Sequence, residues 1–252
     1  MLQEALEPQR SRAFLLCIGS SIKPGGKTVR NSTPGLFIVH PCVRHGHKKC
    51  RMMTIMRKSS TTARAAAKEA THERIVAVAA RAIRRSGYDG TGVADIMKEA
   101  GLTHGAFYAH FESREAMLAE AAARACAESA AAAADVAASV PAGSALAPML
   151  GAYLSRAHAA NPELGCPLAA LGSETSRQAP EVRRVTTQHI KETVDLLARQ
   201  SPDWGQSAAH ERALVTISAM VGALLLARAV DDPKLSDDLL DTARRYLTPA
   251  GH

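Results

Sequence analysis

The sequence predicts an all-α protein, and three observations lead to that prediction. Apolar residues recur at helical spacing after the first 60 residues, as with Ile75, Ala79 and Ile83. Thirteen of the twenty residues in 119–138 are alanine, and none is proline or glycine, which strongly favours helix. No part of the sequence alternates apolar and polar residues as a half-buried strand would. With 252 residues, the chain has room for one or two helical domains.

Residues 1–60 differ from the rest in charge and in pattern. They hold eleven lysine and arginine residues against two glutamates, so the basic character of the chain belongs to this segment. The run Pro24-Gly25-Gly26 interrupts any regular element. We interpret 1–60 as a disordered basic extension, which a wrongly assigned start codon would explain, since three methionines occur in 52–56. The remaining residues are nearly neutral, so net charge alone does not indicate nucleic-acid binding.

One cluster in this extension has the residue types that bind zinc. Its members are His40, Cys42, His45, His47 and Cys50. The spacing is too tight for a known zinc finger and no second ligand pair follows, so we predict neither a metal nor a cofactor. A zinc assay of the full chain would test this. Five irregularly spaced cysteines also argue against a disulfide framework.

Turn residues separate the predicted helices. The first helix runs from a cap at Thr71 or a near neighbour to about Ser86, and Gly87 ends it. The alanine-rich stretch predicts another helix within 113–138. Later helices are predicted at 146–160, 163–172, 179–200, 207–229 and 235–247.

The longest apolar run is Ala213–Ala227, with Arg212 before it and Arg228 after it. A membrane-spanning helix needs about 20 residues, so we expect a buried or subunit-facing helix and a cytoplasmic protein that does not enter a membrane. The helices at 207–229 and 235–247 are the candidates for a dimer interface. The alternative is that they belong to the core of a single chain.

The segment 87–114 contains the pattern that points to function. Val93, Ile96 and Met97 lie at helical spacing, and Gly101 follows them as a turn residue. Thr103 can cap a second short helix with Phe107 inward and with His104, Gly105 and Tyr108 outward. Two short helices joined by a glycine turn, after a longer helix, form a helix-turn-helix arrangement.

Residues 70–118 resemble the tetracycline-repressor (TetR) family of transcriptional regulators. The matching pattern is G-x-x-G-T-x-V-x-D-I-x-x-x-A-G-L-T-x-G-x-F-Y-x-H-F-x-S-R-E. The resemblance implies a helix-turn-helix DNA-binding domain, here 61–115, and a larger helical domain for dimerisation and effector binding, here 116–252. Gly92 stands where the family often has serine, and Arg114 where it usually has lysine.

The resemblance and residue chemistry together assign contacts to double-stranded DNA. Thr91, Tyr108, His110 and Arg114 would contact phosphates. Thr103, His104 and Gly105 would meet base edges in the major groove. Arg64 and Lys68 would form an arm before the first helix. For Tyr108 and His110 the alternative is packing between domains. A homodimer would bind a palindromic operator.

An effector pocket in the larger domain is the second candidate site. Its candidate lining residues are Met149, Tyr153, His158, Cys166, His189 and Trp204. Cys166 stands at the entry of a predicted helix, where the helix dipole favours thiolate. The segment around it resembles a branch of the family whose repressors answer to electrophiles or oxidants through cysteine. The alternatives are that Cys166 fills a helix junction and that the other residues are core.

These observations favour a repressor released from its operator by a small-molecule, electrophile or oxidant effector. A DNA-binding activator or architectural regulator is one alternative. A helical interaction protein without DNA binding would leave the turn-bearing segment 87–114 unexplained. An enzyme is least favoured, since only Cys166 with His158 or His189 could supply a nucleophile and a base.

Overall fold

A computed structural model describes the backbone of residues 51–248 and the side chains of residues 62–248. In this part of the chain the structure is helical and has no strand, which confirms the predicted fold class. The zinc-type cluster between His40 and Cys50 and the other expectations for residues 1–50 lie outside the described residues.

Nine α-helices and two 3₁₀ helices make up the described part of the chain. The α-helices are α1 Arg51–Ser86, α2 Val93–Glu99, α3 Arg114–Ala138, α4 Leu146–Tyr153, α5 Arg156–Ala160, α6 Pro167–Thr175, α7 Pro180–Ala198, α8 Ser207–Ala229 and α9 Pro233–Leu247. The 3₁₀ helices are His104–Ala109 and Pro162–Leu164.

The first helix is longer than predicted. Thr71 does not cap it but lies inside α1, where its hydroxyl donates to the carbonyl of Ala67 at 2.9 Å. Because the preceding residues hold alanines and no proline or glycine, nothing stops the helix before Arg51. Its end agrees with the sequence: Gly87 has φ +79°, and its N–H donates to the carbonyl of Ile83.

Two predicted helices in the larger domain begin or break elsewhere. The helix predicted at 146–160 is divided at Leu154, whose ψ of 54° is not helical, and Ser155 caps the next helix by accepting from His158 N–H. The helix predicted at 163–172 starts only at Pro167, because proline is favoured in the first turn. Cys166 is therefore the residue immediately before α6.

Two groups of buried side chains form the core, and α3 contributes to both. The first surrounds Phe107 and includes Tyr88 and Met117. The second lies among α4 and α6 to α9 and includes Leu150 and Leu224. Since α3 begins at Arg114 and runs to Ala138, it crosses the boundary expected at 115/116 without interruption.

Among the described helices, Ser207–Ala229 is long and apolar enough to cross a membrane by length and composition alone. This is weak evidence, because core helices of soluble proteins meet the same criteria. One side of α8, including Ile217 and Leu224, is buried in the second core. The other side carries exposed Leu214, Val215, Leu225 and Leu226.

Candidate nucleic-acid interface and ligand cavity

The predicted helix-turn-helix forms with a glycine at its turn. After α2, Gly101 has φ +71°, and the N–H of Leu102 donates to the carbonyl of Met97 at 2.8 Å. This is a conformation that side chains other than glycine rarely adopt. The second helix is a 3₁₀ helix beginning at His104 rather than an α-helix, and Thr103 precedes it without a side-chain cap.

The second helix has one buried and one exposed side, as predicted. Phe107 is 2% exposed and stacks on Phe111, with ring centroids 5.5 Å apart. Tyr108 is 71% exposed and meets Phe107 and His104 edge to face. Thr103 and Gly105 are exposed beside it. Four of the predicted DNA-contact residues thus form one accessible surface.

Thr91 is placed differently from the prediction. Its side chain is 5% exposed, and its hydroxyl donates to the carbonyls of Gly87 at 2.8 Å and Ala82 at 3.3 Å. A hydroxyl committed to these carbonyls cannot donate to a phosphate. The predicted phosphate contact by Thr91 gains no support from this placement, in which the residue ties the loop between α1 and α2 to α1.

Arg114 also binds within the protein. Its Nη2 donates to the carbonyls of Tyr88 and, at 3.4 Å, Thr91. The side chain is half-buried and holds the loop that precedes α2. Arginine has five N–H donors, so this role leaves others for a phosphate.

His110 faces back towards α1. It is half-buried, its Nδ1 is buried and finds no partner within the described region, and its ring lies 5.9 Å from that of His72. Burial, and then the nearby His72 and Lys68, lower the pKa of His110. A neutral ring in this position favours the packing alternative over a phosphate contact.

Arg64 and Lys68 are exposed, but they do not form an arm. Both lie within α1, one helical turn apart, because this helix begins at Arg51. The prediction that they precede the first helix is wrong. Lys68 contributes to the electrostatic environment of His110, which places its charge near the second helix.

The larger domain encloses a cavity of about 240 Å³ between α3, α4, α6, α7 and α8. Five of the six predicted pocket residues line it: Met149, Tyr153, His158, Cys166 and His189. Trp204 does not. It is 51% exposed, Arg199 lies over its ring at 5.4 Å, and its N–H donates to the carbonyl of Ser201 in the turn after α7.

His158 is fixed by two hydrogen bonds. Its Nδ1–H donates to the carbonyl of Tyr153 at 2.7 Å, and its Nε2 accepts from the backbone N–H of Cys166 at 3.0 Å. An accepting Nε2 requires the neutral ring. Burial above all, and then the charge of Arg228, lower the pKa of His158, in agreement with that state.

Three other polar groups lie buried at the cavity. Tyr153 Oη and His189 Nδ1 have no hydrogen-bond partner in the described part of the chain. Burial lowers the pKa of His189 and raises that of Tyr153, whose phenol also lies near Cys166. Cys166 is buried and lines the cavity.

Helix α6 joins this cavity to the helix-turn-helix. Before its first residue, the carbonyl of Gly165 accepts from Arg84 Nη1 at 3.4 Å. Near its end, the carboxylate of Glu174 accepts from the N–H of Tyr88 at 2.9 Å. A side chain on Gly87 would clash with this carboxylate at 2.6 Å, so glycine permits the close approach.

Arg84 also connects the end of α1 to α3. Its side chain is fully buried and its Nη2 donates to Glu128 of α3 at 2.6 Å. Sequence analysis missed Arg84 and Glu174, because nothing in their local pattern distinguishes them from surface charges. It also missed Ile217 and Met220 as lining residues, although their helical spacing on α8 could have indicated them.

Two family models match the chain. Residues 75–121 match the model for bacterial regulatory proteins of the tetR family. Residues 142–235 match the C-terminal domain of LmrA/YxaF-like transcriptional regulators. Together the two matches cover more than half of the sequence, including the helix-turn-helix and most of the cavity walls. No curated protein matches the chain.

Solved structures show the same fold. A TetR transcriptional regulator from Chloroflexus aurantiacus is 26% identical, with a TM-score of 0.61 over 71% of this chain and 95% of that one. A regulator from Agrobacterium tumefaciens is 20% identical, with a TM-score of 0.62 over 72% of this chain and 100% of that one. The reduced form of NemR from E. coli is also 20% identical, with a TM-score of 0.58 over 70% of this chain and 94% of that one.

Proposed function

The chain belongs to the TetR family of bacterial transcriptional regulators, and we propose that it is a cytoplasmic, homodimeric repressor that a small molecule releases from its operator. Regulators of this family bind DNA and generally are not enzymes. The observation that carries the finer proposal is α6, which touches the cavity at Cys166 and the helix-turn-helix at Glu174.

The exposed surface of the second helix supports operator reading. Thr103, His104, Gly105 and Tyr108 are accessible together, and side chains there can meet base edges in the major groove. Arg64 and Lys68 add positive charge on α1 for phosphates. Arg114 and Thr91 contribute by fixing the loop before α2 rather than by reading sequence.

The exposed side of α8 supports dimerisation with a second copy. Leu214 and Leu225 are eleven residues apart, three helical turns, so they share one stripe. Small residues Ser218 and Gly222 between them let a partner helix approach closely. Because each copy carries the same apolar stripe, the two stripes can pack against each other across a two-fold axis, as in an isologous interface. Analytical ultracentrifugation of the full chain should give a dimer, and a monomer of 26.6 kDa would contradict it.

Effector release follows from contacts at both ends of α6. A ligand in the cavity would contact Cys166 and His158. The hydrogen bond between these two residues holds the start of α6 in place. A shift of α6 changes the position of Glu174 and thus of the loop at Tyr88. The effector must favour the conformation that fits DNA poorly, and DNA then disfavours the effector by the same factor.

An electrophile or oxidant is the second candidate effector, because Cys166 lines the cavity. A small electrophile that enters would meet the thiol at the end of α6 that contacts His158. The test is operator release by such reagents with Cys166→Ser. Unchanged release in this variant would exclude the thiol as the sensor.

Catalysis by Cys166 is disfavoured by the same contacts. Both nitrogens of His158 are engaged, one with the carbonyl of Tyr153 and one with the N–H of Cys166. His158 is therefore not free to take the thiol proton. We propose that this arrangement supports the backbone before α6.

The proposal is tested by selecting genomic fragments that the full chain binds, beginning with the region upstream of its own gene. We expect a palindromic site and affinity that falls with salt. The double variant His104→Ala/Tyr108→Ala should lose at least ten-fold in specific affinity, because it removes the base-edge contact of His104, worth about 1–3 kcal/mol, together with the phosphate contact of Tyr108. Thr187→Ala, at an exposed residue on α7, is the control. Failure to select any sequence would contradict the proposal.

A further inference from the structure

The cavity walls are apolar except for a few buried polar atoms. Met149, Leu168 and Met220 are among the apolar lining side chains. Tyr153 Oη and His189 Nδ1 are buried there without a hydrogen-bond partner among residues 62–248. A buried polar group left unpaired costs about 1–3 kcal/mol. A ligand that pairs one of these atoms recovers part of that cost.

The walls present no positive charge in the described structure. Glu192 is the charged side chain among the lining residues, and it is exposed. His158 and His189 are neutral near pH 7, because burial lowers the pKa of each. An anionic ligand would therefore lose its hydration and meet a carboxylate instead of a cation, which is costly.

Arg228 lies nearby; its Nε and Nη2 bind backbone carbonyls, while its Nη1 is buried without a hydrogen-bond partner in the described part of the chain. Its Nη2 donates to the carbonyl of His158 at 2.7 Å and its Nε to that of Ala159 at 3.2 Å. It is not among the residues that line the cavity. The wall that a ligand contacts therefore does not include this guanidinium, although its charge acts on Tyr153 and Cys166.

The volume indicates the size of the ligand portion that the cavity can bury, since the cavity is partly open to solvent. A dry cavity of about 150 Å³ accommodates benzene, which has six non-hydrogen atoms. By proportion, the 240 Å³ cavity takes a molecule of roughly ten non-hydrogen atoms. That is the size of a two-ring hydrocarbon.

We infer that the cavity binds uncharged, two-ring-sized, mostly hydrocarbon molecules with one oxygen acceptor, such as a ketone, to which Tyr153 Oη donates a hydrogen bond. His189 Nδ1 offers a second polar contact to a ligand that carries a hydroxyl. The biological use of this ligand, as the effector that releases DNA, rests on the proposed function. The binding chemistry itself rests only on the cavity.

Three probes that share the tetralin ring system test the inference: 1-tetralone, tetralin and the anion 1,2,3,4-tetrahydro-1-naphthoate, which carries one more carbon. Saturation-transfer NMR titration of the full chain, up to millimolar concentrations, measures their affinities. We expect the ketone to bind about 3- to 10-fold more tightly than tetralin, as one hydrogen bond provides. The anion should bind at least 10-fold more weakly than the ketone. Equal or tighter binding of the anion, or no binding of the ketone, would overturn the inference.

Variants assign the preference to Tyr153. Tyr153→Phe should remove the advantage of the ketone and leave tetralin binding within two-fold, whereas Tyr246→Phe on the surface of α9 should change neither. Ala133→Leu, which adds a side chain to the cavity wall, should weaken all probes that bind. Circular dichroism verifies that each variant is folded. A ketone advantage that survives in Tyr153→Phe would refute the assigned hydrogen bond.

The two proposals can fail separately. Ketone binding that depends on Tyr153 but leaves operator affinity unchanged would support the ligand chemistry and contradict effector release by this class. Operator release by another compound, with no ketone binding, would support effector release and contradict the inferred ligand chemistry.

Discussion

The two halves of α3 meet different surroundings. Towards its start, Met117, Leu118 and Ala121 are fully buried against the core around Phe107. Towards its end, Ala130 and Ala133 line the cavity, and neighbouring alanines are exposed. One continuous helix thus closes a packed core at one end and borders the cavity with small side chains at the other.

This difference gives the alanine-rich stretch a role beyond helix propensity. Alanine favours the helix, but its side chain is too short to fill the space between α3 and the facing helices α7 and α8. Packed interiors leave little room for new atoms, whereas a cavity wall can accept them. The two ends of α3 should therefore respond in opposite ways to changes of side-chain volume.

The largest effect is expected in the packed core. Phe107→Ala removes a ring that stacks on Phe111 and should lower the free energy of unfolding by about 3–5 kcal/mol. Urea denaturation followed by circular dichroism measures it. A loss below about 1 kcal/mol would mean that this small core is not tightly packed.

A smaller effect should distinguish the two ends of α3. Ala122→Leu, at a 2% exposed residue in the first core, should cost about 1–3 kcal/mol through overpacking. Ala133→Leu, at the cavity, should cost less than about 1 kcal/mol, since the new atoms enter existing space. The same urea titrations compare them. Equal losses would remove the contrast between the two ends.

The smallest effect concerns pH. Burial lowers the pKa of His158 and His189 below the ordinary 6.5, so the unfolded chain binds protons that the folded chain excludes. The free energy of unfolding should decrease as pH falls below 6.5, by at most about 1.4 kcal/mol per pH unit for each histidine. His189→Asn should reduce this slope, whereas His210→Asn, at an exposed residue of α8, should not. An unchanged slope in His189→Asn would show that this ring is not held neutral.

The sequence predicted the helix-turn-helix more completely than the cavity. Gly101, Phe107 and Tyr108 follow local rules of turn geometry and helical spacing, so their conformation and exposure could be inferred from neighbouring residues. Thr91 could not, because the carbonyls that bind its hydroxyl belong to a preceding helix and turn. Local patterns do not specify such partners.

The cavity was harder to predict because its walls come from segments that are far apart in the sequence. Met149 and Tyr153 lie at helical spacing, which fits plain core as well as a cavity wall, so the spacing alone could not decide between the two. Trp204 lies outside the cavity and is half-exposed, and nothing in the residues around it indicates this placement. The contact of Glu174 with Tyr88 spans 86 residues and has no sequence signature. The residues that join the two sites were therefore the least predictable.

The central claim is that the cavity and the helix-turn-helix are coupled through α6. His158→Ala tests it most directly, since this side chain lies in the cavity wall and holds the N–H of Cys166 at the start of α6. Operator affinity of the full chain, measured by fluorescence anisotropy, should change by about 5- to 150-fold, the usual range for coupled sites. Asn161→Ala, at an exposed residue after α5, should leave affinity unchanged. A folded His158→Ala protein with the operator affinity of the unaltered chain would contradict the coupling.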